Sequence, residues 1–202
     1  MKFAIPNVEH ATRVGILGGS FDPPHLGHQL LALSALAIEP LDVLWVLPCA
    51  NHPFEKQLSL FEHRLAMCKL AFSQLKNVTV VDLEKHLPTP NYTVKTLETI
   101  LSLRPDLKLS FIMGSDVLNH LSKWHEPHKL ETLADVIIYR REGFKIEANS
   151  PFLSHPRIHD GYILPDVRSN WIRESIQRKE QKKTFLVDQK VVQYLMKNKI
   201  YE

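Results

Sequence analysis

Two histidines three residues apart, His25 and His28, follow directly on Gly18-Gly19-Ser20-Phe21-Asp22-Pro23-Pro24. An imidazole titrates near pH 6.5. It can hydrogen-bond a phosphate oxygen and be drawn toward the cation by phosphate charge. Paired glycines let an anion reach the main chain without a Cβ in the way, and two prolines stiffen the turn. A helix opening near His25 would offer unpaired N–H groups to the same anion and set both rings on one face. The chemistry such a set would suit is the binding of an anion such as a phosphate. Spacing alone does not establish it, because His125-Glu126-Pro127-His128 repeats the interval without the surroundings in a chain of 11 histidines. No third ligand stands at metal spacing nearby. The stretch is neither a Walker loop nor a Gly-x-Gly-x-x-Gly fingerprint. The informative feature is the order: strand, Gly-Gly, rigid turn, then two histidines at a helix start.

Elements able to hold that turn are legible on both sides of it. Val14–Leu17 reads as a buried strand and Leu26–Ala37 as a Leu/Ala-rich helix ended before Pro40. Further strands are expected at Val43–Leu47, Val78–Val81, Leu107–Met113 (closed by Gly114) and Val136–Tyr139. Ser59-Leu60-Phe61-Glu62 has the form of a capping box for a helix toward Gln74. Asn91 is expected to cap a helix over Tyr92–Ser102, Ser169 one through Gln177, and Asp188 one through Lys197. Glu142–Asp160, broken at Pro151 and Pro156, reads as a surface connection. Strand–helix alternation predicts an α/β fold: a doubly wound, mainly parallel sheet of five to six strands, helices on both faces, and a small C-terminal helical part. Ligands of such sheets bind beyond the carboxyl ends of the strands.

Bulk properties narrow the class. The 202 residues suit one domain, with a core over about 13–140 and a C-terminal part over about 161–202. No apolar run reaches the roughly 18 residues of a membrane span, and the first residues carry no apolar leader stretch. Cys49 and Cys68 form neither a metal motif nor a disulfide framework. A cytoplasmic protein with reduced thiols is the expectation. Net charge is +3, and the basic run Arg178–Lys183 has no interleaved aromatics, so a solvated helix end is expected rather than a nucleic-acid surface. Oligomeric state is left open, a homo-oligomer included.

Four motifs in order resemble the nucleotidylyltransferase superfamily, most closely its bacterial nicotinate-nucleotide adenylyltransferases. Gly18–Pro23 with His25-Leu26-Gly27-His28 is similar to that family's Gly-Gly-[Ser/Thr]-Phe-Asp-Pro and His-x-Gly-His. Asn91–Leu97 is similar to its Ser-Tyr-Thr-x-x-Thr-Leu. Gly114-Ser115-Asp116 with Trp124 is similar to its Gly-x-Asp…Trp. Ser169-Asn170-Trp171-Ile172-Arg173 is similar to its Ser-[Ser/Thr]-x-Ile-Arg. The chain departs from the pattern at Asn91 and Asn170, and at Asn51–Lys56, where many relatives carry Pro-Pro-His-[Lys/Arg].

The resemblance implies a Rossmann-like fold and adenylyl transfer from ATP to nicotinate or nicotinamide mononucleotide, with Mg²⁺ bound through ATP and not by protein side chains. His25, His28 and Arg173 would be catalytic. Gly18, Gly19, Ser20, Phe21, Gly114, Asp116, Ser169 and Asn170 would bind ATP, with Ser169 and Arg173 on its β- and γ-phosphates. Tyr92, Thr93, Trp124 and Lys56 would bind the mononucleotide. Asp116 has two expected roles, ribose or metal-water acceptor and helix cap. Arg64 is expected to bind phosphate or make a helix salt bridge. Trp45 and Trp171 are expected to be structural. The competing readings are a pantetheine-phosphate adenylyltransferase or a cytidylyltransferase of the same superfamily, a non-catalytic nucleotide sensor, and a metal-binding module.

Overall fold

The computed structural model describes residues 5–6, 12–51, 58–146 and 151–201. β1 (Arg13–Gly19) leads through the histidine turn into α1 (Leu26–Ile38), and β2 (Val43–Pro48) follows. α1 is built from Leu and Ala, strong helix formers, and stops where Glu39 turns extended and Pro40 cannot continue it. α2 (Phe61–Ala71), β3 (Val78–Val80), α3 (Thr93–Leu103) and β4 (Lys108–Gly114) come next. A 3₁₀ stretch over Ser115–Lys123 and the short α4 (Leu130–Leu133) lead to β5 (Asp135–Arg141). β6 (Arg157–Leu164), α5 (Ser169–Gln177) and α6 (Gln189–Lys197) complete the order.

The six strands form one sheet in the order β3-β2-β1-β4-β5-β6, and every pairing is parallel. Successive side chains alternate between its faces, so each central strand feeds two cores. Leu17, Leu44, Val46, Ile112, Ile137 and Tyr139 face one cluster, which α1, α2, α5 and α6 close. Val14, Ile16, Trp45, Phe111, Met113 and Ile138 face the other, closed by Val94, Leu97 and Ile100 of α3. Chain direction across the sheet reverses between β1 and β4, which opens a crevice at their carboxyl ends. Among the described residues no helix is long and apolar enough to cross a membrane.

The sixth strand corrects the expected surface connection, since Arg157–Asp160 lies inside β6. Only Leu164 of that strand is buried, so this edge strand carries no apolar run to announce it. Two expected caps are also corrected. Leu60, not Ser59, precedes α2, and Asn91 makes no cap to α3. Both side chains bond across the fold instead, where tertiary partners compete successfully with the local N–H groups. Ser169 is the first residue of α5 and Arg168 its cap position. Asp188 caps α6 as expected, accepting from the Lys190 N–H at 2.8 Å.

Candidate active site

The turn after β1 is folded under its own side chains. Phe21 takes a positive φ of 50°, a strained conformation for a bulky residue, and its ring is buried. That ring lies 4.8 Å from the His28 ring and meets Phe72 edge-on at 6.2 Å. Its anchoring holds the strained backbone where Gly18 is exposed and Gly19 half-exposed. The main chain beside the glycines is therefore open to a ligand.

His25 is the residue preceding α1 and is 4 % exposed. Its ring stacks on that of His28, centroids 3.7 Å apart. Gly27 makes room for this: a Cβ there would lie 3.1 Å from His25 Nδ1 and Cε1 and 3.3 Å from Val167 Cβ. The His25 backbone N–H donates to His28 Nδ1 at 3.2 Å. A backbone N–H can only donate, so Nδ1 of His28 is the acceptor and its Nε2 is left to carry a hydrogen. His25 Nδ1 is buried without a hydrogen-bond partner among the described residues. Both rings are held neutral. Burial, then the Arg141 charge, lowers His25 to about 3. Burial, then the neighbouring His25 and Arg141, puts His28 well below the ordinary imidazole value. Neutral rings still suit an anion, because a neutral Nε2–H is a hydrogen-bond donor.

The late helix closes on the same turn. Arg173 Nη1 donates to the Asp22 carbonyl at 2.6 Å, and Ser169 Oγ donates to the Pro23 carbonyl at 2.9 Å. The buried Asp22 carboxylate accepts from the Ser59 N–H (3.2 Å), the Ser59 hydroxyl and the Tyr201 hydroxyl (2.6 Å). One residue thus ties the turn to the start of α2, to α5 and to the end of the chain. Asn170 follows Ser169 on an exposed helix position.

Arg64 corrects both roles expected of it. It is 1 % exposed and donates to the carbonyls of Ser59 (2.9 Å), Ser20 (2.9 Å), Cys49 (2.6 Å) and Ala50 (3.2 Å). A fork of donors fixes the loops after β1 and β2 to one another.

After β4, Asp116 Oδ2 accepts from Arg141 Nη1 at 2.7 Å, while Oδ1 is buried with no partner among the described residues. Asp116 caps no helix, in contrast to one of its expected roles, since Gly114 holds the cap position without a side-chain bond. On the far side, Tyr92 precedes α3 and stacks on His125 at 4.3 Å. This pair borders a cleft of about 550 Å³ with Pro88, Lys95, Thr99 and Ser102, none of them from the histidine turn. Thr93 opens α3, and Trp124 is half-buried against the edge of Phe111 at 6.0 Å. Asn91 Oδ1 accepts from the Asn51 N–H at 2.9 Å, which ties the end of the β2 loop's described part to the start of α3. Lys56 itself lies outside the described residues.

This geometry can be set beside known proteins. A cytidylyltransferase-like family model matches residues 16–197. The chain belongs to the cytidylyltransferase-like family. Curated relatives include "Probable nicotinate-nucleotide adenylyltransferase" of Anaeromyxobacter sp. (strain K), 36 % identical over 93 % of this chain and 96 % of that one. The protein of the same name from Bacillus licheniformis is 32 % identical over 94 % and 98 %. The fold is that of Plasmodium falciparum nicotinic acid mononucleotide adenylyltransferase complexed with NaAD (TM-score 0.80, 23 % identity, 94 % of this chain and 97 % of that one).

Within this cytidylyltransferase-like fold, the signature residues His25, His28, Ser169 and Arg173 converge on one turn although the pairs lie about 145 residues apart in sequence. Sequence reasoning gave no role to Asp22, Tyr201 or Arg141. Arg141 had a usable signal, since it ends the fifth strand on the side where ligands of such sheets bind. Tyr201 had none.

Proposed function

We propose that this chain transfers the adenylyl group of MgATP to the 5′-phosphate of nicotinate mononucleotide. A phosphate oxygen of the mononucleotide bonds to the α-phosphorus, the bond from that phosphorus to the bridging oxygen breaks, and pyrophosphate leaves with the electron pair. The nucleophile is already anionic at neutral pH, so the protein's task is alignment and charge stabilisation. The observation that carries the reading is the stacked His25–His28 pair beside open glycine backbone, in the turn that Arg173 and Ser169 clamp.

In this reading the Gly18–Phe21 main chain and the two imidazoles bind the α- and β-phosphates. His28 donates from Nε2. Arg173, Ser169 and Asn170 lie toward the β- and γ-phosphates, Arg173 exchanging its carbonyl partner for phosphate or adding to it. Asp116 Oδ1, after Gly114, accepts a ribose hydroxyl of ATP. Trp124, Tyr92 and Thr93 hold the pyridine ring and its carboxylate, and Lys56 the phosphate side. Magnesium, bound through ATP, would supply neutralisation of its phosphate oxygens.

The test is pyrophosphate release with MgATP and a panel of nicotinate mononucleotide, nicotinamide mononucleotide and phosphopantetheine. The expected result is the highest kcat/KM with the nicotinate compound. Preference for phosphopantetheine would transfer the assignment to that reaction. Turnover no higher than that of His28→Ala would make the chain a nucleotide sensor.

A further inference from the structure

Arg141, the last residue of β5, directs both ends of its fork to protein acceptors. Nη1 bonds Asp116 Oδ2 at 2.7 Å. Nη2 bonds the Val167 carbonyl at 2.6 Å and lies 3.5 Å from Asp166 Oδ1. Its backbone N–H donates to Ser115 Oγ at 3.0 Å, and that hydroxyl donates on to the Phe144 carbonyl at 3.3 Å. One residue therefore joins the segment after β4 to the segment that delivers α5. The glycine before Asp116 belongs to this arrangement. A Cβ at Gly114 would lie 2.4 Å from Asp116 Oδ1 and 2.6 Å from Arg141 Cδ, so a side chain there would push the pair apart.

We infer that Arg141 is a positioning residue: it holds Asp116 by one carboxylate oxygen so that the other, Oδ1, is aimed at a ribose hydroxyl of the bound nucleotide. Three observations support this. Oδ1 is buried and unpartnered among the described residues, although a buried carboxylate oxygen without a donor is costly and rare. The second oxygen is fixed by a charge-assisted bond, which removes the rotational freedom of the carboxylate. Both nitrogen ends of the guanidinium are engaged with protein acceptors, which leaves it poorly placed as a direct phosphate ligand. The inference rests on the reading of Asp116 as a ribose acceptor, and it goes beyond it by naming what sets that acceptor.

A ratio of specificity constants tests it, because the fraction of correctly folded enzyme cancels. The kcat/KM for ATP is divided by that for 2′-deoxy-ATP and for 3′-deoxy-ATP, in the wild type, Asp116→Ala, Arg141→Met and Arg141→Lys. A wild-type ratio of roughly tenfold or more is expected for one analogue, the scale of one hydrogen bond to a charged group. The ratio should fall close to one in Asp116→Ala and in Arg141→Met. Lysine should restore little of it, since a single ammonium cannot bridge Asp116 and the Val167 carbonyl together. An Arg141→Met ratio that stays at the wild-type value while Asp116→Ala collapses overturns the inference and leaves the Asp116 reading standing. A wild type that does not distinguish either analogue overturns both. Equal losses on ATP and its deoxy analogues in Arg141→Met, with the ratio intact, would make Arg141 a phosphate ligand or a purely structural residue, and would likewise overturn it.

Discussion

Arg173 donates from Nη1 to the carbonyl oxygen of Asp22 at 2.6 Å, so the late helix grips the backbone of the histidine turn directly. Asp22 stands between the strained Phe21 and the prolines, and its carbonyl cannot move without moving the glycine segment before it. This makes Arg173 a holder of the turn before any ligand arrives. Arg173→Ala should lower kcat/KM for ATP by roughly a hundredfold or more, combining a loosened turn with a lost donor to developing charge. Arg173→Lys should recover only part of it. Steady-state kinetics over a matrix of both substrates measures this, and a loss confined to the mononucleotide KM would contradict it.

His28 is fixed as a Nδ1 acceptor by the His25 backbone, with Nε2 left as the donor. His28→Ala should reduce kcat by at least about a hundredfold, the usual loss for one donor to a transition-state oxygen. His28→Asn can supply an amide donor of similar reach and should retain more activity than the alanine variant. Near-normal turnover of His28→Ala would remove the imidazole from the reaction.

The neutral histidines have a consequence for stability. The folded-state value of His25 lies at about 3, below the ordinary 6.5, because burial and the Arg141 charge oppose protonation. Between those limits the unfolded chain takes up a proton that the folded chain refuses. The corresponding stability is therefore complete above about pH 6.5 and is lost as pH falls toward 3. His28 acts in the same direction. Denaturant unfolding across pH 4–6.5 should show His25→Asn with a pH slope shallower by about one proton than the wild type. An unchanged slope would show that His25 is protonated in the folded protein.

Arg64 is expected to matter for folding rather than for ligand binding. Its loss strands four half-buried carbonyl acceptors. Arg64→Met should cost at least about 3 kcal/mol. For a chain of this size that is a fall of roughly 6–12 °C in Tm. Calorimetry measures it; a variant with unchanged Tm and a raised ATP KM would return Arg64 to phosphate binding.

What the sequence by itself determined was local or periodic. The apolar runs of β1 to β5 called for burial, and their alternation with helical patterns left a parallel doubly wound sheet as the consistent arrangement. Gly18-Gly19, the prolines and His25-x-Gly27-His28 specified a rigid turn with two histidines at a helix start because each residue type acts within a few positions of itself.

Tertiary structure alone decided the partners. Ser59 and Asn91 carry good capping side chains, yet Asp22 and the Asn51 N–H offered bonds from across the fold. Arg64 read as a phosphate ligand or a helix salt-bridge partner because nothing in its own helix reveals four carbonyls converging from two loops. The neutrality of His25 and His28 depends on burial and on Arg141, more than 110 residues away. Hydrogen-bond geometry and desolvation depend on distance in space, and sequence separation carries no record of them once the chain has crossed the sheet.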